Sequence, residues 1–212
     1  MKAFSPKDAA AFLEAAKGDR FGIVLAFALA TGMRVNEYLA LQRKDIDLRG
    51  GTATVQRVVV WKPKGAGWTF AEPKTSKSRR TVPLPSSLVK LLAEHRREQA
   101  ERRMELGPLY ENHDLVFATG KGTLIYHRNH ALRHFAPTLK RAKLKGFRLY
   151  DLRHSCATLL LSAGENPKVV SERLGHSLIV LTLDIYSHVL PDMQRVATEK
   201  LENMLFKQTG TR

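Results

Sequence analysis

Acidic residues are scarce in this chain, apolar runs are short and cysteine is nearly absent; each shortage removes a class of function. The single cysteine, Cys156, excludes an intramolecular disulfide and suits a reducing compartment. It shares a helical face with Leu152, Leu159, Leu160 and Ala163, so it reads as a packed thiol. The most apolar stretch, Phe21 to Ala30, falls well short of the roughly 18 residues that span a bilayer. It reads as a core helix, no membrane partner is expected, and with no signal peptide the protein is expected in the cytoplasm, at the nucleoid. No Asp/Glu cluster of the kind used by a two-metal nuclease is present. His127, His130 and His134 recur at helical spacing, but no carboxylate or cysteine set accompanies them. They read as surface or DNA-facing histidines, and no metal or cofactor is expected.

What the chain does have is basic charge. Across 212 residues, 35 Lys and Arg stand against 20 Asp and Glu, a formal charge of +15. Such a surplus calls for a polyanionic partner. Nucleic acid fits better than a membrane surface, because no basic amphipathic helix with a bulky apolar face stands out. Apolar residues at 43% are enough for a real core.

Taken in order, Ser5-Pro6 opens a helix with Ala9, Phe12, Leu13 and Ala16 on one face, and Gly18 ends it. A second helix from about Asp19 to Ala30 stops at Thr31-Gly32, directly before Arg34, and a short helix covers Asn36 to Leu41. Residues 50–84 turn β-branched, with strands predicted in TATVQRVVVW, GWTFAEP and RRTVPL and a mobile hairpin tip at Pro73 to Ser78. Ser86-Ser87 caps a long helix to about Leu106, followed by helices at about His127 to Ala142, Asp151 to Ala163, Lys168 to Leu174 and Asp192 to Leu205. The fold class is therefore mainly α with a small antiparallel β-sheet (α+β).

The stretch Leu174 to Val189, LGHSLIVLTLDIYSHV, places Tyr186 ten residues after His176. Around it stand Arg34 in TGMRVNE, Lys74 in PKTSKSRR, and Tyr150 and Arg153 in YDLRH. A phosphodiester can be cut without metal if a side chain attacks phosphorus while fixed cations hold the non-bridging oxygens. Arginine suits that task because its planar fork binds two oxygens and stays charged. Alone, either arginine would be a surface residue. It is the set of boxes that gives the pair a role.

From about Phe4 to the tail, these boxes and their order make the chain resemble the catalytic domain of the tyrosine recombinases, the family of the phage integrases. The resemblance implies a site-specific recombinase that breaks and rejoins duplex DNA through a 3′-phosphotyrosine on Tyr186, without metal or ATP. It implies a phosphate clamp of Arg34, Arg153 and His176, and a general acid at Lys74, with Lys77 as its rival in the same loop. The family's second box reads His-x-x-Arg, and here Tyr150 takes the histidine's place. A phenol still donates a hydrogen bond, but with a pKa near 10 it is a poor proton acceptor. Alternatives are an impaired or non-catalytic DNA-binding module and a type I topoisomerase-like enzyme.

Phosphate-neutralising residues are expected at Lys77, Arg79 and Arg80 and, in the acid-free run after the fifth predicted helix, at Lys140, Arg141, Lys143, Lys145 and Arg148. Family members normally carry a further N-terminal helical domain, so residues 1–212 are expected to be the catalytic domain alone, a fragment. In the family four protomers act on two duplexes. The resemblance therefore implies a homo-tetramer on double-stranded DNA, a monomer or weak oligomer when free, and a tail helix in residues 191–212 exchanged between protomers.

Overall fold

The computed structural model describes residues 2–62, 66–73, 78–175 and 193–206. Helix α1 (Pro6–Ala16) starts at Ser5, whose hydroxyl accepts from Asp8 N while Asp8 returns the bond to Ser5 N, and it buries Ala9, Phe12 and Ala16. Helix α2 (Gly22–Thr31) is apolar on nearly every side and lies in the centre of the core, with Val24, Leu25 and Phe27 inaccessible. A short α3 (Val35–Tyr38) follows at once.

The β-rich third forms two antiparallel sheets. One orders β1 (Ile46–Asp47), β2 (Thr52–Val55) and β5 (Arg80–Pro83); the other pairs β3 (Val58–Trp61) with β4 (Trp68–Ala71). The continuous strand expected over 52–61 is broken at Gln56-Arg57. There Arg57 turns inward to pair with the buried carboxylate of Asp45 and lies over the Phe70 ring, so the chain leaves one sheet and starts another. β5 pairs with β2 and not with β4, and residues 74–77 of the hairpin tip expected between β4 and β5 lie outside the described residues.

Helix α4 (Ser86–Leu106) has Pro85 at its N-cap and no side-chain cap there, so Ser86 is its first residue and not the cap. The helix expected over 127–142 is realised as α5 (His127–His130), a π turn (Ala131–Phe135) and α6 (Ala136–Arg141). The cause is Pro137, which has no N–H for the carbonyl four residues back, and the wider turn lets Ala136 N bond to Ala131 O instead. His130 on this helix is buried, contrary to the surface position expected for it.

Helices α7 (Asp151–Ser162) and α8 (Pro167–Leu174) close the described body, and α9 (Met193–Phe206) carries the tail. Phe4 N donates to Ser155 Oγ at 2.9 Å, fastening the start of the chain to α7. At the end of α2, Gly32 has φ +65°, and a Cβ there would stand 2.7 Å from the Leu174 side chain and 3.2 Å from Cys156 Sγ. Only glycine lets α2, α7 and α8 meet this closely.

Candidate active site

The site is built on that junction. The left-handed turn at Gly32 hands the chain to Arg34, whose backbone N–H donates to Glu37 Oε2 at 2.8 Å and so starts α3. The Arg34 side chain is 37% exposed, and its Nη1 donates to Glu37 Oε1 at 2.8 Å while Nη2 points to Gly175 O at 3.5 Å. Glu37 itself is buried. Burial alone would raise its pKa, but the hydrogen bonds and charge of Arg80, reinforced by Arg34, hold it below the ordinary carboxylate value.

Arg153 comes from the first turn of α7 and is 3% exposed. Its Nη1 donates to Gly32 O at 2.8 Å, whereas Nη2 is buried with no partner among the described residues. Burial, then the charges of Arg34 and Arg80, depress its pKa to about 10, opposed by Glu37 and Tyr150. It therefore stays protonated at neutral pH. Arg34 and Arg80 both pair with Glu37, and Arg153 feels the same carboxylate, so among the described residues three guanidiniums stand against one carboxylate around an unfilled donor. Such a site is charged and geometrically prepared for an anion with several oxygens.

Tyr150 stands at the N-cap of α7, 45% exposed, with its ring edge-on to His154 at 5.0 Å. His154 is buried, and burial lowers its pKa, with Arg153 and Arg148 adding to the effect and Asp151 opposing it. Its imidazole is therefore neutral near pH 7.

Of the six expected catalytic residues, the structure brings together Arg34 and Arg153 beside Tyr150. Lys74, His176 and Tyr186 lie outside the described residues, as does Lys77, the rival of Lys74. Among the expected phosphate contacts, Lys140, Lys143, Lys145 and Arg148 are exposed on the segment that runs into Tyr150. Arg141 is exposed but tied to the protein, donating to Ala15 O and Thr138 Oγ1 and lying 3.7 Å from Asp19 Oδ2. Arg79 is exposed and paired with Glu72 at 2.7 Å. Arg80 departs most from the surface role: its side chain is 7% exposed and faces Glu37. Glu37 and His154 were missed in the sequence. The signals were the acid three residues after Arg34 and the histidine directly following Arg153.

The histidine helix offers no metal site among the described residues. His134 Nδ1 lies 2.8 Å from Asp19 Oδ1, joining the π turn to the loop before α2, and His130 has neither ring nitrogen bonded.

The family model described as the phage integrase family matches residues 3–193. A tyrosine recombinase XerC-like protein of Caldanaerobacter subterraneus is 36% identical, covering 96% of this chain and 54% of that protein. The ICEBs1 integrase of Bacillus subtilis is 33% identical over 97% of this chain and 55% of its own length. The chain thus spans about half the length of these curated relatives. Among solved structures, the Tn1549 transposon integrase in complex with transposon right end DNA superposes with a TM-score of 0.78 at 22% identity, over 94% of this chain and 66% of that one. The catalytic domain of bacteriophage HP1 integrase gives 0.61 at 19% identity, over 100% and 99% of the two chains. At these identities the structural matches establish the fold: a mainly helical integrase catalytic domain with small antiparallel sheets.

Proposed function

The chain belongs to the phage integrase family, and from that premise we infer that it cuts and rejoins duplex DNA as a site-specific recombinase acting through Tyr186. The observation that carries this reading is the buried, unpartnered Nη2 of Arg153 beside Arg34, two positive charges in excess of Glu37. A phosphodiester supplies two anionic oxygens for such a clamp. In the step proposed, the Tyr186 phenol gives its proton to the His176 imidazole as its oxygen bonds to phosphorus, and the bond from phosphorus to the 5′-oxygen breaks. The departing oxygen takes a proton from Lys74, or from Lys77 three residues on, and becomes a 5′-hydroxyl. The strand stays attached through a 3′-phosphotyrosine, so religation is the reverse reaction and needs no ATP. The charge built up at phosphorus is met by guanidiniums already in place, and the mechanism calls for no metal. His176, which follows Gly175 in the sequence, adds a donor once it is protonated, and Tyr150 donates from its phenol.

Lys140, Lys143, Lys145 and Arg148 would lie along the DNA backbone beside the clamp. The tail supports assembly: Leu201, Met204, Leu205 and Phe206 stay exposed on α9, an apolar surface that a neighbouring protomer would cover in a tetramer on DNA. A protein acting on chromosomal duplex DNA would work in the cytoplasm, at the nucleoid.

The test is incubation with supercoiled plasmid followed by detergent quenching, with the broken strand labelled at either end. Protein attached to the 3′ side of the break, absent in Tyr186→Phe, supports the reading. Attachment to the 5′ side overturns it, and relaxation without exchange between two sites assigns a topoisomerase.

A further inference from the structure

Arg80 begins β5, six residues after Lys74 and three after Lys77, within a run that looks like a phosphate-binding surface. Its guanidinium is instead spent inside the protein. Nη2 donates to Glu37 Oε2 at 2.8 Å, Nη1 to Glu37 Oε1 at 3.3 Å and to Ser78 O at 3.2 Å, and Nε to Arg173 O at 2.6 Å. Of five N–H groups these bonds use four. Little remains to offer a phosphate.

The three acceptors belong to three parts of the site. Glu37 is the carboxylate that also holds Arg34. Arg173 O lies in the last turn of α8, three residues before His176. Ser78 follows the stretch containing both candidate lysines. Packing is close as well: at Gly175, where φ is +68°, a Cβ would stand 2.7 Å from Arg80 Nη1 and 3.1 Å from its Cδ. Arg34 reaches the same turn through Gly175 O.

We propose that Arg80 is a positioning residue for strand cleavage, locking Glu37 beneath Arg34 and pinning the end of α8 so that the clamp and the turn leading to His176 keep one geometry. This rests on the reading of the site as a phosphate clamp. Without Arg80, the hydrogen-bonded cation left to Glu37 among the described residues is Arg34, and one positive charge fewer stands against the carboxylate beside Arg153. Lysine at this position could reach one acceptor but not all three, because its ammonium lacks the planar fork.

The experiment compares wild type, Arg80→Gln, Arg80→Lys, Glu37→Gln and the Arg80→Gln/Glu37→Gln double variant in the full chain. Denaturation midpoint, plasmid affinity across a salt series and the rate of covalent-complex formation at saturating DNA are measured. Arg80→Gln should slow the covalent step on the order of 10²-fold, the scale of a misplacement of about 1 Å. The salt slope should not change, because Arg80 itself contacts no phosphate, and Arg80→Lys should recover part of the rate. The double variant should be no slower than Arg80→Gln alone, since both changes act through one contact. A salt slope lower by about 0.9, the signature of a lost phosphate contact, would overturn the proposal. So would a rate loss matching only the loss of folded protein, or losses that multiply in the double variant. If wild type itself forms no covalent complex, it is the cleavage reading that fails. Calorimetry with inorganic sulfate on the free protein then decides: weaker sulfate binding in Arg80→Gln supports the positioning role, and unchanged binding rejects it.

Discussion

Arg153 Nη1 and the carbonyl oxygen of Gly32 lie 2.8 Å apart across 121 residues of sequence, and the other amino group of the same guanidinium is buried with no partner among the described residues. One half of the side chain is therefore a structural anchor and the other half an open donor. Arg153→Lys should keep a single donor and lose the second. The covalent step should slow by about 10²- to 10³-fold, as for removal of one preorganised donor, with plasmid affinity little altered. Because the Arg153 pKa is about 10, sulfate binding to the free wild-type protein should fade as pH rises through that value. A calorimetric titration from pH 8 to 11 checks this, with Arg153→Gln, which carries no titrating charge at that position, as the control in which the contribution of Arg153 to the fade should be absent.

Glu37 is the keystone of the charge arrangement. Removing it as Glu37→Ala leaves Arg80, with a side chain 7% exposed, as a buried charge without its carboxylate. Breaking a buried pair in this way costs about 3–5 kcal/mol, to be read from denaturant unfolding. Glu37→Gln should cost less, since its amide oxygen still accepts. Equal losses in the two variants would count against a charge role.

His130 gives the fold a sensitivity to acid. Burial, assisted by His134, lowers its pKa from 6.5 to about 4. The unfolded chain takes up the proton first as pH falls, so stability is full above 6.5 and is lost progressively down to about pH 4. A shift of this size corresponds to about 3 kcal/mol. His130→Leu should flatten that part of the stability profile. An unchanged slope between pH 6.5 and 4 would assign the acid sensitivity to other groups, His154 and His95 among them.

The basic surface divides by what each side chain already does. Lys145→Ala should lower the slope of log affinity against log salt by about 0.9, one phosphate contact. Arg141→Ala should leave the slope unchanged, because its guanidinium is tied to Ala15 O and Thr138 Oγ1. Equal slopes for the two variants would contradict the division.

Much of the helical framework was legible from local signals. Ser5-Pro6, Gly32, Asn166-Pro167 and Gly175 mark helix ends by cap chemistry that acts over a few residues, and the helices begin or stop there. The break at Gln56-Arg57 was not legible, because it depends on Arg57 finding Asp45 in another element. The π turn could have been anticipated from Pro137, whose missing N–H must be accommodated somewhere in the helix. Arg34 and Arg153 were found through their boxes. Arg80 was read as a surface cation because its partners, Glu37 and Arg173 O, lie 43 and 93 residues away, and a basic run in sequence does not show which of its members turns inward.

The central claim is covalent chemistry at Tyr186 supported by the Arg34–Arg153 clamp. Its most direct test is to mix the protein with supercoiled plasmid in EDTA, quench with detergent, digest the DNA and map any nucleotide-bearing peptide by mass spectrometry, for wild type, Tyr186→Phe and Tyr150→His. The account predicts an adduct on Tyr186 in wild type, none in Tyr186→Phe, and an adduct on the same residue in Tyr150→His. An adduct on another residue, or none in wild type and Tyr150→His alike, would contradict it.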